Sequence, residues 1–241
     1  MDYCIHGHRH ADYLFSSLEE YSTTWFEVLS ALDSINDQDI IDEFESEKRE
    51  AKSISQAINR IVKKQMLLRE WQCESYIFAD HEYGIQAKGT WRLDFAKGPL
   101  SMEVAFNHRS DIAWNLIKPT LASELNHVQK AIQTSGGIIV TATQELKEAG
   151  GFDNACGSYE DYVQYLKPLY GMLPAPLAII GLKAPESFKI DVVPNGPGKK
   201  KGIVALYAME LKGRYYCPAC GTVLNEKPPA CECGQHLAYR S

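Results

Sequence analysis

Leu93-Asp94-Phe95-Ala96-Lys97-Gly98-Pro99-Leu100-Ser101-Met102-Glu103-Val104-Ala105-Phe106 is the stretch on which the fold turns. Trp91 to Phe95 and Ser101 to Phe106 are short β-rich runs, and the Lys97-Gly98-Pro99 insertion between them predicts a hairpin turn. Asp94 and Glu103 then lie on successive strands, where two opposed carboxylates come close enough to share a divalent cation. Hard oxygen ligands suit Mg²⁺, which takes one or two carboxylates, several waters and substrate phosphate oxygens. Such an ion lowers the pKa of a bound water and stabilises charge on a phosphodiester undergoing in-line displacement. By spacing alone the pair is weak evidence, and a solvent-facing strand pair is the commoner meaning of such a pattern.

Upstream of the hairpin the pattern is helical. Tyr13, Leu14, Leu18, Tyr21, Trp25, Val28, Leu29 and Leu32 recur at steps of mostly three and four, as do Ile54, Ile58, Ile61, Val62, Met66, Leu67 and Trp71. Between them, residues 33 to 50 hold eight acidic and two basic residues and predict a solvated helix or loop. The segment Ser75 to Phe78 reads as a strand. Downstream, a helix is expected from Ile112 to Ile132, stopped by Gly136-Gly137. A strand at Ile138 to Thr141, a helix from Tyr159 to Tyr170 and a buried strand at Leu177 to Leu182 follow. Strands interleaved with helices predict an α/β fold, a mixed sheet flanked by helices. The expected organisation is a largely helical part over 1–74, a catalytic α/β core over 75–193, a basic loop and strand over 194–212, and a small module over 213–241.

Of 241 residues, 45% are hydrophobic and 23% charged, which excludes disorder, collagen and repeat arrays. The net charge of −6 argues against a surface that grips nucleic acid or anionic membrane everywhere. It is an average over unlike parts: residues 33 to 50 alone carry −6, while residues 183 to 241 carry +4. Apolar runs such as Leu177 to Leu182 fall far short of the roughly 20 residues that cross a bilayer. The N-terminus lacks the basic-then-apolar order of a secretory signal, so a cytoplasmic protein is expected, with no membrane partner. The His6-Gly7-His8-Arg9-His10 cluster reads as a mobile terminus rather than a metal site.

The hairpin resembles the catalytic hairpin of the BglII and BstYI (BamHI-like) type II restriction endonucleases, of the PD-(D/E)XK nucleases. The resemblance runs in order over roughly residues 8 to 185. It includes His10-Ala11-Asp12, Ala57-Ile58-Asn59 followed by Trp71, Gly157-Ser158-Tyr159, and Leu173-Pro174-Ala175-Pro176 leading into Leu182. It implies a restriction-endonuclease-like fold, double-stranded DNA as partner, catalytic Mg²⁺, a homodimer reading a palindrome, and a GATC-centred target. Asp94 and Glu103 match the two metal-binding carboxylates. The family's third polar side chain, two residues after the second acid, is replaced by Ala105, whose methyl group can neither accept a proton nor hold a water. Glu74, near where the family supplies a further polar residue, and Glu124, on the following helix, are candidates to take over, with His108 and Lys118 behind them. A surface or helix-capping role is the alternative for all four. Asn107, His108 and Arg109 belong to a loop that approaches DNA in this family, and the Arg109 fork matches a phosphate or a guanine edge.

Cys217-Pro218-Ala219-Cys220-Gly221 and Cys231-Glu232-Cys233-Gly234 predict a closed, structural Zn²⁺ site resembling a zinc ribbon. The second pair is Cys-x-Cys, so His236 is an alternative ligand. With Lys199, Lys200 and Lys201 upstream, the module suits contact with a DNA backbone, or else stapling or dimer contact. Three functions compete: a Mg²⁺-dependent site-specific endonuclease, a catalytically weakened DNA-binding derivative, and a zinc-ribbon adaptor in a restriction or defence system.

Overall fold

Alternation and turn chemistry place the hairpin where the sequence puts it. In the computed structural model, which describes residues 1–47, 51–79, 91–124, 129–207, 215–216, 223–224 and 238–239, β3 (Arg92–Lys97) pairs antiparallel with β4 (Leu100–Val104). Lys97 faces Leu100 across a tight turn in which Gly98 adopts φ 52°, a conformation that costs glycine little. The Lys97 ammonium donates to both Glu27 carboxylate oxygens (2.8 and 2.9 Å) and to the Arg69 carbonyl (2.7 Å), which ties the hairpin to the helical layer behind it.

Around the hairpin stands a six-stranded mixed sheet. β1 (Tyr3–His8), β2 (Gln72–Tyr76), β5 (Gly136–Ala142) and β6 (Leu177–Leu182) complete the order β1-β6-β5-β4-β3-β2. β4, β5 and β6 run parallel; the outer pairings are antiparallel. Strands β5 and β6 are buried along their whole lengths, as parallel strands covered on both faces must be. Their alternate residues enter two cores. Ile138, Val140, Ala178 and Ile180 pack with α1 (Ala11–Ser17), α2 (Glu19–Asp33), α3 (Asp37–Glu45) and α4 (Ser55–Leu68). Ile139, Leu177 and Ile179 pack with α5 (Ile112–Ser123) and α7 (Tyr159–Leu169). A short α6 (Gln144–Ala149) follows β5, and β7 (Phe188–Pro194) pairs with β8 (Lys200–Leu206).

Several boundaries differ from expectation for identifiable reasons. The histidine-rich terminus is the edge strand β1, and the buried His8 bonds through Nε2 to the Leu173 carbonyl (2.8 Å). The first helical pattern is broken at Leu18, whose extended backbone (φ −89°, ψ 130°) separates α1 from α2. The acidic stretch folds as α3, capped by the reciprocal Asn36 and Asp39 bonds, with Ile40, Ile41 and Phe44 buried and acids on the outer face. The helix expected to reach Ile132 ends at Ser123. Gly136 and Gly137 do not terminate a helix but begin β5, where Phe15 and Pro119 press so closely that a Cβ would overlap them.

The chain divides into two units, Met1–Ala205 and Leu206–Ser241. In the second, β9 (Tyr215–Tyr216) pairs antiparallel with β10 (Val223–Leu224) and β11 (Ala238–Tyr239). Cys217, Cys220, Cys231, Cys233 and His236 lie outside the described residues. Among the described residues, no helix is long and apolar enough to cross a membrane.

Candidate active site

The hairpin register, continued by one pair beyond Phe95↔Met102, sets Asp94 directly across from Glu103. Backbone amides fix both carboxylates. The Val104 N–H donates to Asp94 Oδ2 (2.9 Å), and the Asp94 N–H donates to Glu103 Oε1 (3.3 Å). Glu103 is 2% exposed. Burial, then the charge of Asp94, pushes its carboxyl up to about 8, against the pull of Lys118. Burial likewise raises Asp94, with the Val104 amide and Lys118 opposing. Two like charges packed this way call for a cation.

One cation comes from α5. The Lys118 ammonium bonds Glu103 Oε2, and the lysine side chain is only 10% exposed. The buried face of α5 carries Asn115, Lys118, Pro119 and Ala122, the i, i+3, i+4, i+7 positions of a stripe that is ordinarily apolar. Asn115 Nδ2 donates to the Tyr162 hydroxyl (2.7 Å) and to Asn107 Oδ1 (3.1 Å), joining α5 to α7 and to the loop after β4. Ala105, two residues beyond Glu103 and therefore on the same face of the strand, packs with Ile112, Leu116 and Ile139.

On the open side, Asn59, Lys63, Glu74, Asp94, Phe95 and Val104 line a cleft of about 250 Å³. The β2 register sets Glu74 beside Asp94, but its backbone is left-handed (φ 55°) and its carboxylate pairs with Arg92 (3.4 Å). Asn59 and Lys63, one turn apart on α4, reach this cleft without having been singled out for the site. The buried Asn59 Oδ1 has no hydrogen-bond partner in the described structure. Their i, i+4 spacing along one side of an amphipathic helix was the available signal. Glu124 sits exposed just past the end of α5 and does not line the cleft.

Among the described residues, no group of three or more histidine, cysteine, aspartate or glutamate side chains is arranged to hold a metal. That excludes an all-protein cage there but not a Mg²⁺ site, which needs only one or two carboxylates with waters and phosphate oxygens. Asp94, half-buried at the cleft, and Glu103, buried beside it, are electrostatically unfavourable together and fit such an ion.

The polar loop after β4 is braced rather than loose. Arg109 N–H donates to the Ala155 carbonyl (2.8 Å), Gly157 N–H to the Asn107 carbonyl (3.1 Å), and His108 bridges to Cys156. Arg109 Nε pairs with Asp161 (3.0 Å), and His108 Nδ1 contacts the Ser110 hydroxyl (2.9 Å). Arg109 also borders a second cleft with Gln144, Lys147, Asp153 and Asn154. Lys199 lies in the β7–β8 connection, and Lys200 and Lys201 begin β8; none of the three lines the cleft beside Asp94.

The sequence matches the family described as "Restriction endonuclease BglII/BglIII" over residues 3–182. Among solved structures, the chain is similar to restriction endonuclease BglII complexed with a DNA 16-mer, at 17% identity and a TM-score of 0.58, covering 86% of this chain and 100% of that one. Free BglII aligns at 14% identity and a TM-score of 0.47, with the same coverage. No curated protein sequence matches significantly. The family match spans the whole six-stranded sheet, from β1 to the last residue of β6, and the chain belongs to the BglII/BglIII family of restriction endonucleases, type II site-specific deoxyribonucleases.

Proposed function

We propose that the protein cuts double-stranded DNA at a specific palindrome, hydrolysing one phosphodiester in each strand, with Asp94 and Glu103 holding Mg²⁺. The observation that carries this reading is the directly opposed pair on the hairpin of a BglII-family sheet: a half-buried Asp94 that lines an open cleft and a buried Glu103 beside it. When bound, the ion supplies a water of lowered pKa and a counter-charge for the phosphodiester. Amides of Val104 and Asp94 keep the carboxylates in place before substrate arrives, so little ordering is left for the reaction itself. Asn107, His108 and Arg109 meet the DNA from their braced loop; the Arg109 fork, half exposed beside Asp161, is placed to exchange that partner for a phosphate or a guanine edge. Glu74 contributes a polar edge to the cleft, while Glu124 is assigned no part in holding the ion.

A homodimer follows from a palindromic target, each protomer cutting one strand, with a GATC-centred site as the first to test. Lys199, Lys200 and Lys201 add sequence-independent backbone attraction. The second unit is read as a Zn²⁺ module held by Cys217, Cys220, Cys231 and Cys233, a reading supported by their spacing and by three short strands interleaved with them in sequence. One observation favours a second reading, a DNA-binding protein that cuts poorly: Ala105 is a methyl group among apolar neighbours. Incubation of unmodified and methylated DNA with the protein, in Mg²⁺ or in EDTA, separates the two. Discrete Mg²⁺-dependent fragments support the endonuclease; binding without fragments in any condition supports the alternative.

A further inference from the structure

We propose that Lys118 of α5 is the positioning residue that compensates for Ala105, its ammonium orienting Glu103 and placing one positive charge at the carboxylate pair. The inference rests on the endonuclease reading above. An ammonium is costly to bury and persists in a core only when paired. Lys118 is 8% exposed and occupies a stripe position where an apolar residue would serve packing, yet its partner is Glu103. The neighbours on that stripe hold the helix in place: Asn115 is bonded to Tyr162 and Asn107, and Pro119 lies against Gly137.

Strand and helix are complementary. Ala105 shares one buried apolar cluster with Ile112 and Leu116 of α5, so a long polar side chain at 105 would displace part of that packing. With a methyl group there, α5 sits down on the strand and carries its own lysine to Glu103. The polar group that the strand lacks thus comes from the helix. Because Lys118 acts through Glu103, it belongs to the set that aligns the site, and its loss should slow the chemical step without weakening DNA binding.

The test compares wild type, Asp94→Ala, Lys118→Met and Lys118→Arg in single-turnover cleavage with Mg²⁺, DNA binding by fluorescence anisotropy in EDTA, and thermal unfolding. Methionine keeps the aliphatic volume and removes the charge. It is expected to slow cleavage by about 100-fold or more, the scale of losing one charge-aligning donor, with DNA affinity unchanged within about threefold. Arginine, which keeps the charge in a bulkier shape, is expected to recover about tenfold or more of that loss. The inference is overturned if Lys118→Met cuts within about threefold of wild type, if the Met and Arg variants are equally slow, or if lost cleavage is matched by a lost unfolding transition. Should wild type cut while Asp94→Ala does not and Lys118→Met remains fully active, the lysine alone is misassigned. Should wild type cut no DNA, the endonuclease reading itself fails.

Discussion

Replacing Gly137 with alanine probes how the packing of α5 governs the site. Gly137 is buried on β5, paired with Leu177 and Ser101, and an added Cβ would stand 2.3 Å from Pro119 Cβ and 2.9 Å from Leu177 Cδ2. Ordinary contact begins near 3.4 Å, so α5 must withdraw by about 1 Å or the strand must yield by as much. Overpacking of this kind costs about 1–3 kcal/mol. For a unit of this size that lowers the unfolding midpoint by about 2–12 °C. Because Lys118 precedes Pro119, the same withdrawal pulls its ammonium from Glu103, and a misplacement of about 1 Å is worth about 100-fold in rate. Thermal unfolding and single-turnover cleavage measure the two effects. Gly171→Ala, where an added Cβ meets nothing within 4 Å, is the control and should change neither. A Gly137→Ala protein with the wild-type midpoint and the wild-type rate would refute the argument.

Two further outcomes follow from the charges and from the second unit. The Glu103 carboxyl is raised from 4.5 to about 8 in the folded protein. Between those values the native state keeps a proton that the unfolded chain has released, so in EDTA stability should fall as pH rises through the interval and level off above it. Urea unfolding at several pH values, with Glu103→Gln flattening the slope, checks this; an unchanged slope in the variant would assign the dependence elsewhere. For the C-terminal unit, elemental analysis should find about one tightly held zinc per chain, and chelation should unfold that unit, since metal supplies the folding energy of such small modules. Zinc-free protein with an unaltered second unit would remove the metal reading.

The hairpin was legible because its signals are local: alternation, a Gly-Pro turn and two acids whose opposition follows from register. The strand Leu177–Leu182 was legible for a similar reason, as a short apolar run between breakers. Edge strand β1 was not, because Tyr3-Cys4-Ile5-His6-Gly7-His8 carries little apolar alternation and is held by pairing with β6, a contact 169 to 179 residues away in sequence. Gly136 and Gly137 were misleading. In isolation they punctuate a helix, but here they are strand residues kept bare by Phe15 and Pro119. At the site, the hairpin pattern together with the family resemblance pointed to Asp94 and Glu103, while the resemblance favoured Glu124 over Lys118. Periodicity extends the helix to Ile132, and only its packing reveals that the face turned toward Glu103 carries the lysine. The arginine loop was visible as a polar segment, whereas its bracing by Ala155 and Gly157 depends on contacts 46 and 50 residues distant.

The central claim is that Asp94 and Glu103 form a Mg²⁺-dependent DNA-cutting centre. Its most direct test is cleavage of a defined DNA by wild type and by Asp94→Ala, with binding of the same DNA measured in EDTA. The account predicts discrete fragments from wild type only when Mg²⁺ is present, none from Asp94→Ala, and binding by both. Cleavage by Asp94→Ala at the wild-type rate, or binding without cleavage by wild type on every DNA tried, would contradict it.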